Sequence, residues 1–207
     1  MISCIIPAYN EEERIKDVIE AVKNSKLVDE IIVVSDGSTD NTYEISKKCN
    51  IDKVIQLEKN IGKGGAIMEG LKYAKGDIIL LVDADLRGLT KENLENLIKP
   101  VLDGKADMTI GSNIPFVMNK FSGLRCLKRF LLEDQGLGDI ENLKNSKFNI
   151  ENELNERAKR GNLKVLYVKM NGIRNVHKIK KYGLKEGLKR TIDMYFQLLK
   201  YEIKNRF

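Results

Sequence analysis

Ile78-Ile79-Leu80-Leu81-Val82-Asp83-Ala84-Asp85 joins five consecutive apolar residues to a pair of carboxylates. The run is short, unbroken and free of polar alternation, which is how a strand buried on both faces reads. If the strand continues through Asp83 and Asp85, side chains two apart point to the same side. Two carboxylates side by side at a strand end repel, and a cation relieves them. Mg²⁺ or Mn²⁺, held by one or two carboxylates plus substrate phosphates, is the usual solution. A lone D-x-D triplet is common by chance; its place at the end of an apolar strand gives it weight.

Working outward, residues 2–6 (ISCII) form a first apolar run, ended by Pro7. Asn10 reads as a helix cap with Glu13 three residues on, and Ile15, Val18, Ile19 and Val22 mark one helix face. Residues 31–35 (IIVVS) are a second buried strand, followed by an Asp36-Gly37-Ser38 turn and a helix over 39–48. A third strand is expected at 53–57, and a helix from Gly62 to Lys75 closed by Gly76. Beyond the 78–82 strand come a helix around Leu94, Leu97, Ile98 and Val101 and a strand at 106–111. Residues 118–132 read as helical, 133–147 as a polar loop, 150–160 as a helix, 163–170 as a late strand, and Gly183 onward as a long helix. Strands that alternate with helices and are apolar throughout point to an α/β fold, a mostly parallel sheet flanked by helices.

In open α/β sheets ligands gather at the carboxyl ends of strands, near a topological switch point. Three polar clusters fall there: Pro7-Ala8-Tyr9-Asn10-Glu11, Asp36 to Thr42, and Asp83-Ala84-Asp85. Each alone reads as a cap or a turn, and together they point to a site. Lys63, at a Gly-rich helix start, is either a phosphate partner or a surface lysine. Gly62-Lys63-Gly64-Gly65 lacks the spacing and ending of a P-loop, and Ile67 takes the last glycine position of G-x-G-x-x-G. An EF-hand starting at Asp83 fails at Arg87 and Leu94. Glu133, Asp134, Glu151 and Glu153 are the candidate bases, and Glu151 and Glu153 also suit a helix start. His177, the single histidine, is a surface or capping residue unless the tail folds over the crevice to make it a metal ligand.

The 207 residues are 42% hydrophobic, too many for general disorder. No stretch is long and apolar enough to span a bilayer, and the N-terminus has no basic region or cleavage site of a secretory signal. Three cysteines, Cys4, Cys49 and Cys126, fit neither a zinc spacing nor a disulfide frame. Together these features predict a cytoplasmic protein. The net charge of +6 comes entirely from residues 177–207, which hold nine Lys/Arg and three Asp/Glu. A balanced body excludes a protein that coats nucleic acid.

The segments CIIPAYNEEERI, VVSDGSTDNT, NIGKGGAIMEGLKYAKGDIILLVDADL and SGLRCLKR resemble family 2 glycosyltransferases of the GT-A fold. The resemblance is strong over residues 1–112 and weaker beyond. It is nearest to polyprenyl-phosphate sugar synthases and soluble glucosyl-3-phosphoglycerate synthase-like enzymes. It implies a single Rossmann-like domain: a nucleotide-sugar half at 1–112, an acceptor half at 113–182 and a basic C-terminal amphipathic helix at 183–207. It implies that Pro7, Ala8, Tyr9 and Glu11 contact the nucleotide of a UDP- or GDP-sugar, that Asp36 reads the base and that Lys63 lies near the base or the phosphates. It implies further that Asp83 and Asp85 hold the ribose and the Mg²⁺ or Mn²⁺, with Asp85 the closer ligand and His177, as in some relatives, completing the shell. It implies that Ser122, Gly123 and Arg125 belong to the acceptor loop, and that Glu151, or else Asp134, serves as base for a hydroxyl acceptor. No Q-x-x-R-W segment is present, which speaks against a processive synthase. The spans that many lipid-linked relatives carry at the C-terminus are also missing.

The tail places Leu184, Leu188, Ile192, Tyr195, Phe196, Leu199 and Ile203 at helical spacing among Lys and Arg. Such a helix can lie on an anionic membrane, pack on the core or pack on a second copy in a homodimer. Two other readings compete. A sugar-phosphate nucleotidyltransferase would carry a Gly-rich basic loop where PAYNEEERI stands. A non-catalytic nucleotide-sugar-binding protein would keep the pocket and release no nucleotide.

Overall fold

A computed structural model describes residues 1–112, 122–146 and 150–175. Four parallel strands carry the first half: β1 (Ile2–Ala8), β2 (Glu30–Ser35), β3 (Lys53–Gln56) and β4 (Ile78–Leu81). They are joined through α1 (Ile15–Lys23), α2 (Thr42–Lys48) and α3 (Lys63–Leu71). The short β5 (Leu86–Arg87) lies outside this sheet and leads to α4 (Lys91–Leu102), β6 (Met108–Ser112) and β7 (Arg125–Lys128). A 3-10 turn at Arg129–Leu132, α5 (Ile140–Lys144), α6 (Ile150–Arg160) and β8 (Val165–Lys169) follow. The seven-stranded sheet runs β3-β2-β1-β4-β7-β6-β8. β7 is antiparallel to both neighbours, and β6 and β8 are parallel. Residues 1–174 form one compact unit and residues 175–207 group as a second.

Both faces of the sheet are covered, which is why its strands lack polar alternation. Cys4, Ile6, Val33 and Leu80 face a layer holding Ile15, Ile19, Leu94 and Ile98. Ile5, Ile32, Val34 and Leu81 face the other layer, with Ile67, Leu131, Ile150 and Leu154. The α1 stripe of Ile15, Val18, Ile19 and Val22 is buried as its spacing predicts. Each such side chain contributes about 1.5–3 kcal/mol of burial.

Several local expectations differ. Pro7 does not end β1, because β4 pairs only with Ile2–Ile5 and the missing N–H falls where a single neighbour remains. Asn10 does not cap α1, which starts after Arg14 with no side-chain cap. Asn10 sits instead at φ 54°, and its side chain accepts from the Thr39 amide. The α3 helix stops at Leu71 rather than Lys75, and Gly76 is not its cap. The Arg129 guanidinium takes the carbonyls left over, donating to Ala74 at 2.6 Å and to Leu71 at 3.4 Å. Gly76 is needed for close approach, since a Cβ there would lie 2.6 Å from the Met1 carbonyl oxygen. Part of the expected 118–132 helix is strand β7, inserted between β4 and β6. The expected loop at 133–147 contains α5, anchored by buried Leu143. The long helix from Gly183 lies outside the described residues.

Candidate active site

The chain runs from β1 outward to β2 and β3, then returns to the other side of β1 as β4. The switch point therefore lies between the carboxyl ends of β1 and β4, where crevices form in such sheets. The Pro7–Glu11 segment leaves β1 there, and Asp83 and Asp85 leave β4. The segment after β2 is tied to the first: the Asp36 amide donates to the Ala8 carbonyl at 2.8 Å, and the Asn10 amide donates to Ser38 Oγ at 3.1 Å. The three clusters predicted to converge do so.

Buried Asp36 binds the loop that opens α3. Its carboxylate accepts from the Ile61 amide at 2.7 Å and the Gly62 amide at 2.9 Å. Burial raises its pKa, and those two hydrogen bonds partly offset the rise. Asn60, which the sequence reading passed over, donates from Nδ2 to the Asp36 carbonyl at 3.1 Å. The loop fixed in this way delivers Lys63 to the crevice.

Lys63 joins two elements. Its ammonium is ion-paired with Asp83 Oδ1 and with Glu151 Oε1, the latter at 2.6 Å. Burial alone would lower its pKa, but the two carboxylates outweigh burial and hold it above its ordinary value. Glu151 comes from the start of α6 and is buried, as a pairing of this kind requires. Gly123 packs against this bridge: a Cβ there would lie 2.2 Å from Lys63 Nζ and 2.3 Å from Asp83 Oδ2.

β4 ends at Leu81, so Asp83 and Asp85 stand in the turn beyond it rather than in an extended strand. They still interact. Asp85 is raised to about 6, first by burial and then by the Asp83 charge, against the lowering pull of Lys63 and Arg14. Arg14 is a second residue that sequence reading missed. It is buried and pairs with Glu11 at 2.6 Å.

Other expected site residues fall differently. Arg125 is not in an acceptor loop. It lies in β7, fully buried, and burial lowers its pKa to about 10. Its Nε donates to the Ser122 carbonyl at 2.8 Å and its Nη1 to Asn155 Oδ1 at 2.8 Å. It therefore supports the Ser122-Gly123 backbone from beneath. Ser122 Oγ donates to the Gly111 carbonyl. Asp134 is not brought to the carboxylate cluster. It is exposed and lines a groove of about 740 Å³ along α3 and α5 that includes none of Lys63, Asp83, Asp85 or Glu151. His177 lies outside the described residues.

Among the described residues no group of three or more His, Cys, Asp and Glu side chains forms a metal cage. A divalent ion would rest on Asp83 and Asp85 together with donor phosphates, a hard-oxygen set that suits Mg²⁺ and Mn²⁺. The donors fit. Asp85 is crowded by a like charge and receives no salt bridge from a described residue.

Comparisons with known proteins agree with this geometry. The UDP-N-acetylglucosamine--dolichyl-phosphate N-acetylglucosaminyltransferase of Methanococcus voltae is 38% identical over 133 residues, 55% of this chain and 52% of that one. The dolichol-phosphate mannosyltransferase of Pyrococcus furiosus is 38% identical over 117 residues, covering 54% of this chain and 32% of that protein. The chain thus spans about half the length of the first relative and less of the second. A crystal structure of Mycobacterium tuberculosis glucosyl-3-phosphoglycerate synthase superposes with a TM-score of 0.70 at 23% identity, covering 97% of this chain and 80% of that one. Another, in complex with Mn²⁺, UDP and phosphoglyceric acid, gives 0.69 at 23% identity over 85% of this chain and 70% of that one. The fold is GT-A, and the nucleotidyltransferase reading is set aside. Residues 3–176 match the family model for Glycosyl transferase family 2, and the chain belongs to that family.

Proposed function

We propose that this chain is a metal-dependent glycosyltransferase that moves a sugar from a UDP- or GDP-linked donor to a phosphate-bearing acceptor, a polyprenyl phosphate or a small phosphorylated molecule. The observation that carries the reading is the meeting of Asp83, Asp85, Lys63 and Glu151 at the switch point of a nucleotide-binding sheet. Relatives named for transfer to dolichyl phosphate support the acceptor class.

In this reading Pro7, Ala8, Tyr9 and Glu11 line the nucleotide, and Asp36, with lone pairs left after its two backbone bonds, faces the base. Asp83 and Asp85 hold the divalent ion, with His177 a further ligand from the following segment. When bound, that ion supplies Lewis-acid charge at the leaving diphosphate. Lys63 adds positive charge on the diphosphate side. The anomeric carbon gains oxocarbenium character, as in glycoside hydrolysis. Ser122 and Gly123 border the acceptor. A phosphate acceptor is already anionic and needs no base; a hydroxyl acceptor gives its proton to Glu151.

The same reading makes the chain cytoplasmic, with the basic segment 183–207 as its contact to an anionic membrane or to a second copy. Among the described residues no helix is long and apolar enough to cross a membrane. Transfer is tested with a panel of nucleotide sugars and Mg²⁺ or Mn²⁺. Asp85→Ala is expected to abolish turnover while the chain still unfolds cooperatively. Near-normal turnover in that variant overturns the scheme, and donor binding without release of nucleotide from the wild type favours a sensor.

A further inference from the structure

Lys63 is committed on two sides. One carboxylate, Asp83, belongs to the proposed metal and donor half. The other, Glu151, opens α6 and belongs to the proposed acceptor half. An ammonium has three N–H donors, and two are already spent. Both carboxylate partners are largely buried, with 20% and 9% of their side chains exposed. Such a bridge is not easily replaced by water.

We infer that Glu151 and the donor diphosphate compete for Lys63, so that donor binding draws the ammonium away and frees Glu151 for the acceptor. The inference rests on the reading of this crevice as a nucleotide-sugar site. It makes Lys63 a positioning residue that links two half-sites and orders their filling. The local charge favours the exchange. Asp83 and Glu151 both tie Lys63, and a divalent ion on the aspartates would take over the neutralisation of Asp83, leaving Glu151 as the carboxylate that holds the ammonium. With Asp83 taken over by the ion, Glu151 is the carboxylate left to compete with a phosphate oxygen for the Lys63 ammonium. Gly123 lets the Lys63–Asp83 bridge pack directly against its backbone, because a Cβ there would lie 2.2 Å from the ammonium.

The test is a binding cycle read without turnover. UDP and GDP are titrated by calorimetry, with Mg²⁺ present, into the wild type, Glu151→Gln, Lys63→Gln and the double variant. Glu151→Gln keeps the shape of the side chain and removes the rival charge. It is expected to bind the nucleoside diphosphate about 3- to 10-fold more tightly, the scale of one charged hydrogen bond discounted for partial exposure. In the Lys63→Gln background the same change is expected to do nothing. Unchanged or weaker binding in Glu151→Gln overturns the inference. So does equal tightening in both backgrounds, which marks simple removal of a negative charge near an anion. Should Lys63→Gln fail to unfold cooperatively, Lys63→Arg replaces it: a guanidinium keeps both ties, and the Glu151→Gln gain must then survive. Binding of neither nucleotide to the wild type removes the donor reading itself, a failure distinct from the other two.

Discussion

Gly123→Ala probes the crevice with a single methyl group. The added carbon would stand 2.2 Å from Lys63 Nζ and 2.3 and 2.6 Å from the two Asp83 oxygens. Ordinary contacts of this kind need about 3.5 Å, so the ion pair must open by roughly 1 Å. A charged hydrogen bond is worth about 1.5–3 kcal/mol. Because a fifth of each partner is exposed, about 1–2 kcal/mol is the better figure here. Alanine returns about 0.4–1 kcal/mol by restricting the unfolded chain. The net loss is about 0–1.6 kcal/mol, which for a chain of this length lowers Tm by up to about 6 °C. Turnover suffers more, because a 1 Å displacement of a positioning group costs about 100-fold. Thermal unfolding and initial-rate assays are run on Gly123→Ala with and without Lys63→Ala. In the Lys63→Ala background the ion pair is already gone and the Asp83 carboxylate is free to turn from the methyl, so the added cost is expected to be smaller than in the wild type. A wild-type Tm and wild-type rate in Gly123→Ala, or an equal cost in both backgrounds, refutes the packing argument.

Further outcomes follow from single side chains and from the C-terminal segment. Buried Arg157 donates to the carbonyls of Leu131 at 2.8 Å, Gly138 at 2.8 Å and Glu133, so Arg157→Met is expected to destabilise by about 3–5 kcal/mol in denaturant unfolding; a change below about 1 kcal/mol counts against it. In the metal-free protein Asp85 titrates at about 6 against an ordinary 3.8, so the stability it contributes is full below pH 3.8 and is lost as pH rises through 6. Asp85→Asn is therefore expected to gain about 1–3 kcal/mol over the wild type at pH 7.5 in EDTA and nothing at pH 3.5, with Tm against pH as the readout; a less stable variant at pH 7.5 is the contrary result. Mg²⁺ or Mn²⁺ is expected to raise the wild-type Tm and leave that of Asp85→Asn unmoved; equal shifts in both would place the ion elsewhere. Deleting 183–207 is expected to abolish co-sedimentation with anionic liposomes, and identical pelleting of both chains removes the membrane contact.

The first half of the chain was legible because each βα unit closes locally. A buried strand such as 31–35 and a helix face such as Ile15-Val18-Ile19-Val22 depend on their own side chains and on nearest neighbours in sequence. The back half depends on distant partners. Arg125-Cys126-Leu127-Lys128 has no periodicity that favours strand over helix, and it becomes β7 because β4 and β6 leave a gap between them. The α3 helix ends where Arg129, far along the chain, collects its carbonyls. Neither fact is written in the local pattern.

The same division governs the site. Residue types at strand ends marked Asp83, Asp85 and Asp36 as candidates, because chemistry at a switch point calls for carboxylates, while the Gly-rich helix start left Lys63 open between a phosphate partner and a surface lysine. What the types could not reveal was pairing. Lys63 reaches 88 positions along the chain to Glu151, and only the tertiary placement of the start of α6 sets that 2.6 Å contact. Of the four candidate bases, the fold brings Glu151 to Lys63 and leaves Asp134 exposed on another groove. The sequence made Glu151 and Asp134 look alike, since a solvated carboxylate and a paired one carry the same letters. The difference is a neighbour, and the neighbour is supplied by tertiary structure. A base chosen by composition alone is therefore ambiguous in any fold whose acceptor half is assembled from distant segments.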